Sequence, residues 1–157
     1  MSTHDTDIVS DPKVPLVRIT RVFDATPSQV FRAHTDADLV KQWLGPRDLT
    51  MAIDHYDCRT GGSYRYVHSR GDEEYGFFGC FHEVRPAELI VQTFCFEGFP
   101  DSVALERLTL DDLGGGQTRL MVTSLVDSFE GRDAFVASGM ESGVREGYER
   151  LDELLAR

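Results

Sequence analysis

The stretch "SGMESGVREGYERLDELL", residues 138–155, reads as an amphipathic helix, yet it holds Gly139, Gly143 and Gly147 at four-residue intervals. Each glycine inside a helix costs roughly 1 kcal/mol against alanine, so three at one spacing call for a reason. At 100° per residue, Gly143, Gly147, Met140, Val144, Tyr148, Leu151, Leu154 and Leu155 share an arc of about 140°. Gly139 sits at its edge. Glu141, Arg145, Glu149, Asp152 and Glu153 fill the opposite side, and Glu141–Arg145 and Glu146–Arg150 are favourable pairs four apart. The glycines therefore mark a face whose backbone comes close to a curved sheet or to a ligand. With Asp127 or Ser128 as cap, one helix over 130–155 is expected, about 39 Å long.

Upstream of that helix the dominant period is two. Strands are expected over 16–25, 49–58, 63–69, 75–84, 89–96, 103–110 and 118–126, separated by turns such as "RTGGS", "RPAE" and "LGGGQ". Between the first two strands stand two short helices. "TPSQVFRAH" opens with Thr26 as cap, Pro27 at the first helical position and Gln29 completing a capping box. "TDADLVKQWLGP" repeats the device with Thr35 and Asp38, and Gly45 and Pro46 stop it near Trp43. Seven strands with short connections favour one antiparallel sheet in an α+β domain over residues 14–157. Residues 1–13, "MSTHDTDIVSDPK", read as a polar, mobile N-terminal tail without the basic start or apolar run of a secretory leader.

The chain has 157 residues, 41% of them hydrophobic, enough for one domain with a substantial core. Its formal net charge of −11 repels phosphate backbones and anionic lipid, so neither nucleic acid nor membrane is expected as a partner. Cys58, Cys80 and Cys95 are odd in number and lack CxxC spacing. They read as free thiols in a reducing cytoplasm rather than as disulfides. Against a zinc site with His55, His68 or His82 stands the lack of short fixed ligand spacings. No metal and no cofactor is expected.

The order of elements resembles the helix-grip fold of the START and birch-pollen-allergen-like (SRPBCC) superfamily, a curved sheet wrapped around a long C-terminal helix. Local words are narrower. "ITRVFDATPSQVFRAHTDADLVKQWLGP", "GCFHEVRPAELI", "GGGQTRL" and the C-terminal helix are similar to the family of the heat-shock protein 90 ATPase activator C-terminal domain, over about residues 15–156. The resemblance implies a cavity between sheet and helix for a small apolar or aromatic molecule, with a link to stress response. It leaves two alternatives: a polyketide cyclase, aromatase or hydrolase-like enzyme, or a co-chaperone-type interaction module with a chaperone as partner. His34 stands where the family usually has an apolar residue.

Candidate lining residues for such a cavity are Trp43, Tyr64, Tyr66, Phe77, Phe94, Phe96, Met140, Gly143 and Val144. For proton chemistry the candidates are His68, in phase with Tyr64 and Tyr66, and Arg21, in phase with Val17, Ile19 and Phe23. An inward arginine needs a carboxylate, for which Glu106 and Asp54 are available. No catalytic motif such as GxSxG, HExxH or a P-loop occurs.

Overall fold

In strand Leu16–Phe23 every second residue, Val17, Ile19, Arg21 and Phe23, is buried, the signature of a strand with one covered face. The computed structural model describes residues 4–157. In chain order it contains β1 (Asp7–Ser10), β2 (Leu16–Phe23), α1 (Pro27–Thr35), α2 (Ala37–Trp43), β3 (Thr50–Tyr56) and β4 (Ser63–Arg70). These are followed by β5 (Glu73–Arg85), β6 (Leu89–Phe96), β7 (Val103–Gly114), β8 (Gln117–Leu125), α3 (Phe129–Ala137) and α4 (Met140–Leu155). The strands form one antiparallel sheet in the order β1-β2-β8-β7-β6-β5-β4-β3. This is the α+β helix-grip architecture expected, with one strand more.

The added strand corrects the reading of residues 1–13 as a mobile tail. Residues 1–3 lie outside the described residues, but Asp7–Ser10 pair along β2 and cover its edge. The side chain of Asp11 accepts hydrogen bonds from the Lys13 and Val14 amides and shapes the turn. Buried Arg132 of α3 donates to the Asp11 and Leu16 carbonyls and ties that turn down. Four residues of alternating "DIVS" are too short a pattern to read, and the contact that fixes them comes from far along the chain.

The C-terminal helix is also corrected. It is two helices, because Gly139 adopts the left-handed conformation (φ 90°) between α3 and α4. The Ser138 amide turns back to the Phe135 and Val136 carbonyls and closes α3. Gly139 is thus a break and not an edge of the apolar stripe. α1 carries the predicted capping box of Thr26 and Gln29, whereas α2 is capped by Asp36 rather than Thr35.

Gly147 makes the close approach, but not to the sheet. A Cβ there would lie 3.3 Å from both the Gly45 amide nitrogen and the Trp43 carbonyl oxygen. α4 therefore rests its backbone on the turn after α2, where Arg150 also donates to the Gln42 and Gly45 carbonyls. At Gly143 a Cβ would meet Pro46 Cδ at an ordinary 3.6 Å.

Two apolar clusters fill the interior. One, on the helix side, is built from Phe23, Val30, Trp43, Leu120, Tyr148 and Leu151. The other, under the β3–β6 half, is built from Tyr64, Tyr66, Phe81 and Ile90. Partly buried Phe31, Leu44 and Leu108 touch both.

Candidate functional site

Between the two clusters the helix-facing side of the sheet stays partly uncovered. Gln92 and Phe94 of β6, Glu106 and Leu108 of β7 and Val122 of β8 occupy the middle of the sheet, yet all are half-buried. Central positions on a covered face are normally closed off. Here α4 has the other helices, α2 above all, as its closest backbone neighbours.

A polar row crosses this space at one register. Gln92 lies opposite Glu106, and Glu106 lies opposite Ser124. Gln92 Nε2 donates to the Tyr64 hydroxyl at 3.3 Å and to Glu106 Oε1 at 3.4 Å. The Tyr64 hydroxyl in turn donates to the Thr93 carbonyl at 2.7 Å. Buried Ser124 Oγ has no partner within hydrogen-bonding geometry among the described residues, though it is near enough to lower the Glu106 pKa. Glu106 forms no ion pair among the described residues. Burial pushes its carboxyl from 4.5 to about 7. The Glu106 carboxyl is half-buried, and its charge is heavily desolvated. Burial comes first, and the Glu106 charge second, in raising Tyr66 and Tyr148.

Aromatic rings wall the row. Tyr64 stacks on Tyr66 at 5.9 Å, Tyr66 on Phe77 at 5.4 Å and Phe77 on Phe94 at 5.4 Å. Phe77 and Phe94 stay half-buried, as does Phe96 beside Phe77 at 5.2 Å. On the helix side, half-buried Met140 and Val144 pack on the first cluster, with Gly143 against Pro46.

The remaining sequence candidates fall elsewhere. Trp43 is a filled core residue: its indole N–H donates to the Ala33 carbonyl at 2.8 Å, and its ring stacks on Tyr148 at 6.0 Å. Arg21 takes Asp152 of α4 as its buried partner, not Glu106 or Asp54. Asp54 is exposed and pairs with His55 at 3.1 Å. His68 is buried against the edges of Tyr66 and Phe77, its Nδ1 without a hydrogen-bond partner among the described residues, and burial lowers its pKa. Arg21 lies opposite Leu120 and His68 opposite Tyr75, each four residues along its strand from the polar row. His68, Arg21 and Glu106 therefore do not form one catalytic set. His34 is a satisfied core histidine whose Nδ1–H donates to the Val30 carbonyl at 2.8 Å.

Gln92, Ser124, Tyr148 and Asp152 were missed as site or partner residues. Gln92 was legible: it is the one polar residue in phase with Ile90, Phe94 and Phe96 in "LIVQTFCF". A separate surface cleft of about 250 Å³ lies among Arg85, Glu88, Arg107 and Asp111, and none of the candidates lines it. Among the described residues no cluster of three or more His, Cys, Asp or Glu could hold a metal, and no helix is long and apolar enough to cross a membrane.

Against known proteins, the family model described as Activator of Hsp90 ATPase homolog 1-like protein matches residues 24–156. No curated protein matches. A crystal structure from Rhodobacter sphaeroides is 28% identical, with a TM-score of 0.85 over 96% of this chain and 97% of that one. A protein from Mycobacterium smegmatis shares the fold at 21% identity and TM-score 0.86, over 96% and 97% of the two chains. One from Chromobacterium violaceum does so at 24% and 0.78, over 91% and 98%.

Proposed function

The chain belongs to the Activator of Hsp90 ATPase homolog 1-like family, and from that premise we propose that it binds a small hydrophobic or aromatic molecule between the sheet and α4. The observation that carries this reading is the band of half-buried Phe94, Leu108 and Val122 at the centre of the sheet, between two filled clusters. These side chains pack on the clusters yet stay partly uncovered, and apolar surface left so is stabilised by any guest that covers it. Half-buried Phe94, at the end of the aromatic stack, offers a ring, and the polar row offers an anchor at one end.

A thermal-shift series with naphthalene, 1-ethylnaphthalene and dodecane tests the reading. Binding to the native state alone raises Tm with the logarithm of ligand excess over Kd. At least one aromatic probe is expected to raise it, and Val122→Phe, which fills the space from the sheet side, is expected to abolish the shift while the far-UV spectrum stays native. No shift with any of the three would overturn binding.

An enzymatic reading on an aromatic or polyketide-like substrate has one observation in its favour: Glu106, brought to about 7, is suited to general acid–base transfer near neutral pH. Glu106→Gln would then remove turnover and leave substrate binding in place.

A further inference from the structure

We propose that the preferred guest is an aromatic or apolar molecule ending in a basic nitrogen, whose protonated amine docks on Glu106. This rests on the reading that the space between sheet and α4 takes an apolar ligand. Among the described residues Glu106 is a half-buried carboxyl with one long hydrogen bond, from Gln92, Ser124 nearby and no ion pair. An ionised carboxylate in such a place is expensive unless a positive charge or several donors meet it. The chain has an interior cation, Arg21, but holds it on Asp152. The charge on Glu106 is thus left for something from outside.

The neighbours suit a donor rather than an anion. Gln92 Nε2 is already used by Tyr64 and Glu106, and the Tyr64 hydroxyl hydrogen by the Thr93 carbonyl. Ser124 Oγ lies close enough to Glu106 to lower its pKa, but has no partner of good hydrogen-bonding geometry among the described residues. The hydroxyls of Tyr66 and Tyr148, near enough to sense the Glu106 charge, accept as readily as they donate. Half-buried Phe94 ends the stack of Tyr64, Tyr66 and Phe77, and an aromatic π face attracts ammonium groups. A fatty acid or aryl carboxylate would set its charge against Glu106. An alcohol would find hydrogen bonds but leave the carboxylate uncompensated.

Calorimetric titration at pH 8 with three matched probes tests this: 1-naphthylmethylamine, its uncharged analogue 1-ethylnaphthalene, and 1-naphthylacetate. The amine is expected to bind at least tenfold tighter than 1-ethylnaphthalene, 1-naphthylacetate weakest, and the amine's advantage should vanish in E106Q. Equal binding of amine and neutral probe, an advantage that survives in E106Q, or tightest binding by 1-naphthylacetate would overturn the inference while leaving apolar binding standing. Failure of all three probes on the wild-type protein would sink both. Should E106Q not fold, the wild-type protein at pH 5 serves instead. Glu106 is then neutral, the facing groups Tyr64, Tyr66, Gln92, Ser124 and Tyr148 are uncharged at both pH values, and the amine's advantage should shrink. An undiminished advantage would count against Glu106 as its anchor.

Discussion

His34 and Glu106 are both interior titratable groups, and they stand in opposite kinds of surroundings. His34 lies under Trp43, ring centroids 4.8 Å apart, with its N–H satisfied inside its own helix. Burial lowers its pKa to about 4. Glu106 lies at the open middle of the sheet with one weak partner, and burial raises it to about 7. The helix-side half is finished by the chain itself, whereas the half around Glu106 leaves surface and charge uncompensated. Incomplete packing around Glu106 beside complete packing around His34 is what the proposed guest space requires.

The contrast is broken most severely by removing its filled side. Trp43→Ala deletes a buried ring that contacts His34 and Tyr148 and fastens α2 to α1 through the Ala33 carbonyl. A loss of about 3–5 kcal/mol is expected in urea unfolding. Phe94→Ala, with one face already uncovered, should cost less than half as much. Equal losses would mean that both halves are equally packed and that no guest space exists.

Protonation sharpens the comparison next. The raised pKa of Glu106 means the native state holds its proton more tightly than the unfolded chain does. Its contribution to stability is complete below about pH 4.5 and drains away as pH rises through about 7. Glu106→Gln should therefore stabilise the protein at pH 8.5, by about 2 kcal/mol once the partial exposure of the carboxyl is discounted, and leave it unchanged near pH 4. His34 works in the other direction: its contribution is complete above pH 6.5 and is lost as pH falls through about 4. Urea unfolding of wild type and E106Q at both pH values decides the sign. A variant less stable than wild type at pH 8.5 would mean that Glu106 has a partner within the fold.

These differences also explain what was legible in the chain. Periods and caps are local, so seven of the eight strands, the capping box at Thr26 and the family words could be read directly. Alternation in β4 put Tyr64, Tyr66 and His68 on one face, whereas the face that Glu106 takes in β7 was not read from the sequence. What could not be read depends on contacts between distant segments. Arg21 could have met any inward carboxylate, and its choice of Asp152 is set by how α4 lies across β2. Trp43 looked like a pocket wall because composition cannot distinguish a ring that fills a core from one that lines a gap. Gly139 shares its spacing with the helix glycines and not their role, since a helical wheel cannot register a residue that turns left-handed.

The smallest expected effect separates the two remaining glycines. Gly143 and Gly147 sit four residues apart on one stripe, and by periodicity they are equivalent. Alanine in a helix interior is favoured over glycine by about 1 kcal/mol, so each substitution starts from the same gain. At Gly143 the new methyl meets Pro46 Cδ at 3.6 Å, an ordinary contact, and the gain should be kept. At Gly147 it meets backbone at 3.3 Å on two sides, and a turn held by Arg150 cannot yield as a flexible side chain would. Gly143→Ala is therefore expected to raise Tm by a few degrees and Gly147→Ala to leave it unchanged or lower it. Equal rises at both positions would mean that α4 does not rest its backbone on the α2 turn, and the gap opposite the sheet would lose the support that holds it open.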